Sequence, residues 1–203
     1  MKNLIVEELF KLILEDFEAY EAGSSALTAA EMGHASGVVE VLGENYWRKF
    51  AQAINQIILK QYEEQYGTPQ NAVLENTERR FGFIKRKMEE FNDKFGRVVP
   101  KEWGMDCLLL YEFCSITRIH ITHTLERTAS QSNVAVLMKA LEFCIKFENK
   151  ITDLMGKKYV DLIKRENKRK FDLQSLPRFA GSISNSFERY LAPYIKSEEE
   201  ALS

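Results

Sequence analysis

Punctuation is scarce in this chain of 203 residues, which has four prolines and ten glycines. No strand-like alternation of useful length lies between them, and the sparse breaks leave long stretches for helix. Three cysteines, Cys107, Cys114 and Cys144, all fall in apolar helical runs. An oxidised framework would leave one of them unpaired and would have to bridge buried faces, so free core thiols are expected. No apolar run approaches the roughly 20 residues of a membrane span. Met1-Lys2-Asn3 leads directly into an acidic amphipathic helix rather than a secretory leader, so the chain is expected to face the cytosol. Lys and Arg number 28 against 30 for Asp and Glu, a formal net charge of -2 that supplies no global attraction to nucleic acid or an acidic membrane.

The residues of catalysis are equally thin. His120 and His123 lie one helical turn apart, yet no His-Glu-x-x-His pattern or recognisable third ligand accompanies them. Cys114 lies near His120 in sequence, but Phe113 and Ile116 point to burial rather than to the electropositive setting of a reactive thiol. Glycine-rich clusters followed by Lys-Ser or Lys-Thr are missing, so no phosphate cradle is encoded. The expectation is a non-enzymatic protein without metal or cofactor.

Helical periodicity is abundant. Hydrophobic residues make up 45% of the chain, and at this length about 70% of the unfolded surface can be buried, enough for a real core. Leu4, Ile5, Leu9, Leu12, Ile13, Phe17 and Tyr20 form a broad apolar stripe that ends near Gly23. A second helix is expected from about Leu27 to Leu42 and a third from Glu44 to about Tyr66. Thr68-Pro69 carries a start signal for a fourth running to Phe95, because Thr caps free amides and Pro at the first helical position loses none. Ser130 or Ser132 is expected to cap a sixth, with Val134, Leu137, Leu141, Ile145, Ile151 and Leu154 facing the core and Gly156 interrupting it. A last helix is expected around Arg178 to Ala192. The fold class is all-α, an elongated antiparallel bundle of about seven or eight helices, taken as a single unit over residues 1–203.

The stretch from Arg79 to Leu125 holds two matching apolar stripes joined by a corner. Gly96 is placed to end the fourth helix in a left-handed conformation, Pro100 fixes the turn, and Trp103 plugs the elbow before a fifth helix from Lys101 to about Thr128. Short connections favour antiparallel neighbours. Arg79, Arg80, Lys85, Arg86 and Lys87 read as a solvated face paired with Glu75, Glu78, Glu89 and Glu90.

From Lys157 the composition shifts. Lys157, Lys158, Lys164, Arg165, Lys168, Arg169 and Lys170 are opposed by Asp161 and Glu166 alone. With Tyr159, Val160, Leu162 and Ile163 as an apolar side, this reads as a basic linker over 157–178 that would meet a partner or an anionic membrane surface. No stacking-aromatic motif or recognition helix accompanies the charge, which argues against nucleic acid.

The motif order is specific. R-R-F-G-F-I-K-R from Arg79, K-F-G-R-V-V-P-K-E-W from Lys94 and Y-E-F-C-S-I-T-R from Tyr111 together resemble the vacuolar protein sorting subunit fifty-three family of the GARP and EARP vesicle-tethering complexes. Gly37 to Tyr66 and Gly181 to Ser197 match more loosely. The resemblance implies a middle fragment of a rod-like tethering subunit, lacking the family's amino-terminal coiled coil. It further implies sister subunits, SNAREs and small GTPases as partners, and a peripheral place at the trans-Golgi network and endosomes. A generic helical adaptor or a peripheral membrane-binding domain built on the basic segment are the competing readings.

Overall fold

The computed structural model describes residues 2–128, 133–166 and 178–192, and among them every regular element is helical. Six long helices succeed one another: α1 Lys2–Glu21, α2 Ala29–Leu42, α3 Glu44–Tyr66, α4 Thr77–Phe95, α5 Met105–Thr128 and α6 Val134–Glu166. Single 3-10 turns lie at Leu74–Asn76, Lys101–Trp103 and Ser184–Phe187, and a short helical stretch covers 188–192. The all-α expectation holds.

Local chemistry explains most boundaries. At the end of α1, the Ser24 amide donates to the Ala19 carbonyl and the Gly23 amide to Tyr20, with Gly23 at φ 73, a left-handed closure that glycine adopts without a Cβ clash. Thr28 opens α2 with a capping box, its hydroxyl accepting from the Glu31 amide at 3.3 Å while the Glu31 carboxylate accepts from the Thr28 amide at 2.7 Å. Those bonds hold the Glu31 carboxyl below its ordinary value, the Thr28 backbone bond acting most.

Four sequence expectations are corrected. Helix α4 begins at Thr77, not Thr68. The Thr68 carbonyl accepts from the Asn71 and Ala72 amides in a single turn, and the Asn71 side chain then donates to the Gln65 carbonyl, closing the end of α3. Asn133 caps α6, its Oδ1 accepting from the Ala135 amide at 2.9 Å, while Ser130 and Ser132 lie outside the described residues. Gly156 does not interrupt α6, which runs on to Glu166. The expected last helix is instead a turn with Gly181 at φ 76, a 3-10 turn and the short stretch at 188–192.

The chain packs as two compact units. The first comprises residues 1–61 and 85–109, the second 62–84 and 110–203. In the first, Phe17 and Phe50 meet edge to face at 4.6 Å between ring centroids, and Phe17 stacks at 6.2 Å on Phe95. Each fully buried ring contributes about 1.5–3 kcal/mol. Lys94 ties α4 to the end of α1, donating to the Glu21 carbonyl and pairing with its carboxylate at 3.0 Å. In the second unit, Phe81 and Phe147 stack at 4.1 Å and Phe113 meets both rings. Arg80 on α4 also touches His120 on α5. Helices joined by the short 96–104 connection make contacts so far from it only if the chain reverses, so α4 and α5 are antiparallel.

The face that α6 turns inward agrees with its periodicity at Leu137 and Ile151, leaves Leu141 half-buried and departs from it at Val134, Ile145 and Leu154. Leu137, Ala140, Cys144, Glu148, Ile151 and Met155 are buried, whereas Val134, Ile145 and Leu154 are exposed.

Candidate functional site

Three places concentrate specific side chains. The first is the corner between α4 and α5. The Val98 and Val99 amides both donate to the Phe95 carbonyl, and Pro100 opens the 3-10 turn with the Trp103 amide reaching back to its carbonyl at 3.2 Å. Trp103 is buried, stacked on Trp47 at 6.0 Å and edge-on to Phe50 at 5.7 Å. The left-handed residue is Gly104, at φ 59 and ψ 30, rather than Gly96 as the sequence implied. Glycine is needed at 96 for another reason: a Cβ there would lie 2.4 Å from the Asn92 carbonyl oxygen.

The second lies around Arg80, which sequence reasoning placed on a solvated face. Its side chain is 1% exposed. Nη1 donates to the Tyr62 hydroxyl at 2.9 Å and contacts Nδ1 of His120 at 3.1 Å, and Nη2 donates to the Tyr66 carbonyl at 3.1 Å. The guanidinium carbon also sits 4.9 Å from the centre of the Tyr66 ring, a cation–π distance. No carboxylate is within ion-pair reach among the described residues, and Nε has no hydrogen-bond partner there. A ring facing this buried cation resists protonation: burial, then the Arg80 charge, then His123 bring His120 down to about 4. The signal that would have found Arg80 was its register, one turn before Ile84 and one after Thr77, both buried.

The third is Glu148, which is 2% exposed. One oxygen accepts from the Ile183 and Ser184 amides at 2.6 and 2.8 Å, the other from the Gly181 amide at 3.0 Å and the Ser184 hydroxyl at 2.7 Å. The carboxylate thereby caps the start of the Ser184–Phe187 turn and fixes residues 181–184 on α6.

The other candidates scatter. His123 is exposed on α5 while His120 is turned inward to Arg80, so the structure does not join them as a ligand pair. No group of His, Cys, Asp and Glu arranged for a metal occurs among the described residues. Cys144 is held well above the ordinary thiol value, mainly by burial and then by the charges of Glu148 and Cys114. Of the basic segment, Lys157 and Lys158 are exposed on α6, the backbone at Lys164 and Arg165 is helical, and Lys168, Arg169 and Lys170 lie outside the described residues. The first part of the expected linker is thus a continuation of α6.

The family model of Vps53, N-terminal, matches residues 2–203. The chain belongs to the Vps53 family. Vacuolar protein sorting-associated protein 53 A of Arabidopsis thaliana is 25% identical over 187 residues, covering 71% of this chain and 22% of the relative. The chain therefore spans about a fifth of the length of that Vps53 relative. No solved structure matches it.

Proposed function

We propose that this chain is a non-catalytic structural part of a vesicle-tethering subunit, acting with sister subunits of the GARP and EARP complexes. Its task is retrograde transport of endosome-derived vesicles to the trans-Golgi network and endosomal recycling, from the cytosolic face of those membranes. The observation that carries this reading is the Vps53 match across residues 2–203. The all-helical architecture supports it, with Trp103 and Arg80 serving packing and Glu148 capping a turn. SNAREs and small GTPases are the further partners of such a tether.

The test is affinity purification of the full-length parent together with an endosome-to-Golgi transport assay in cells depleted of it. Co-purification of sister subunits and retention of a recycling receptor in endosomes are expected. A parent that joins no sister subunit, and whose loss leaves transport unchanged, would refute the proposal.

A second reading adds membrane attraction through Lys157, Lys158, Lys164, Arg165, Lys168, Arg169 and Lys170. It is favoured by the exposure of Lys157 and Lys158 on α6. In that reading the segment supplements protein contacts on an anionic surface.

A further inference from the structure

Helix α1 is apolar on two sides. Phe10, Ile13 and Phe17 are at most 6% exposed and face the first unit's core. Ile5, Leu9 and Leu12, spaced four and then three residues apart, are 66%, 41% and 53% exposed. This is the spacing by which one helix seats against another along a coiled-coil seam. The interior does not need these side chains, and together they present a straight apolar stripe to solvent.

Charge selects what covers it. Exposed Glu8, Glu15 and Asp16 flank or end the stripe, and from Ile5 to Glu18 there are five acids against the one cation Lys11, which pairs with Glu15 at 3.8 Å, while Lys49 of α3 lies 3.9 Å from Glu7. An anionic lipid surface is repelled by such a rim, and a second copy of α1 would set like charges against each other. A helix with its own apolar stripe and flanking Lys and Arg satisfies both the seam and the rim. We propose that the outer stripe of α1 is the seat of one amphipathic, basic-flanked helix supplied by a sister subunit. This rests on the tethering role proposed above.

Cys107, Cys114 and Cys144 are buried, so a nitroxide label attached to Leu12→Cys reports the stripe alone. The label is read by electron paramagnetic resonance in the 203-residue chain, alone, with phosphatidylserine vesicles, and with each recombinant sister subunit in turn. Immobilisation by one sister subunit is expected, with a mobile label in the other two conditions. Ile5→Gln with Leu9→Gln should weaken that association roughly tenfold or more without changing the far-ultraviolet circular dichroism. The triple reversal Glu8→Lys, Glu15→Lys and Asp16→Lys should weaken it as well and reduce its salt dependence.

A label that stays mobile with every sister subunit overturns the proposal, as does immobilisation by vesicles or by self-association. Charge reversal without effect overturns the basic-flanked partner. If the chain enters the complex with its label mobile, the stripe is refuted and the tethering role stands. Failure of the full-length parent to join any sister subunit refutes the tethering role itself.

Discussion

At Arg80 the sequence and the structure part most sharply. Tandem Arg79-Arg80 among glutamates reads as surface charge, yet the helix carries the second arginine inward, where two tyrosines and a histidine receive it. Composition could not reveal this, because an arginine is buried only when distant chain segments supply its acceptors, and Tyr66 offers a backbone carbonyl that no sequence pattern marks. The arrangement has a pH signature. His120 titrates at about 4 when folded and at 6.5 when unfolded, so between those values the unfolded chain binds more protons and stability falls as pH falls. The loss is complete below pH 4 and absent above 6.5. Partial solvent screening reduces it to about 1–2 kcal/mol. His120→Gln should flatten this part of the stability profile in urea titrations at successive pH values, whereas His123→Gln should not. Glu148 was equally hidden among the acids of α6. Glu148→Ala leaves three amides and a hydroxyl without their acceptor, and should cost about 3 kcal/mol or more in chemical denaturation. Faster amide exchange at Ile183 and Ser184 is expected with it.

Elements were more legible than residues. Apolar periodicity located α1, α2 and α3 closely because each is bounded by a glycine turn or a cap that acts locally. It failed at Thr68-Pro69, where a valid start signal was overruled by Asn71 bonding back to Gln65, and at Gly156, whose cost the long packed helix absorbs. A Cβ at Gly156 meets nothing within 4 Å, so Gly156→Ala should stabilise the chain by about 0.5–1 kcal/mol in thermal or urea melts. The opposite sign is expected for Gly96→Ala, whose methyl collides with the Asn92 carbonyl. Trp103→Ala should cost about 3–5 kcal/mol, because it removes a buried indole from Trp47 and Phe50 at once. The elbow was readable from Gly, Pro and Trp in sequence; which glycine turns left-handed was not, since both neighbours of the turn carry one.

For the whole molecule, the balance of charge conceals its distribution. A formal net of -2 over 203 residues combines an acidic α1 with a basic stretch beginning at Lys157. Fields from exposed charge act over about 8 Å at physiological salt, so what approaches a region meets its local charge rather than the net value. In the membrane reading proposed above, attraction to an anionic surface comes from the basic stretch, whereas α1 opposes it. Replacing Lys164, Arg165, Lys168 and Arg169 by Gln should abolish sedimentation with phosphatidylserine vesicles at low salt, while helicity and association with sister subunits persist. Raising the salt should reproduce the loss in the unaltered chain, because counterions screen the same field. Should the four substitutions instead release the chain from its sister subunits and leave vesicle binding intact, the basic stretch is a protein interface and the membrane reading fails.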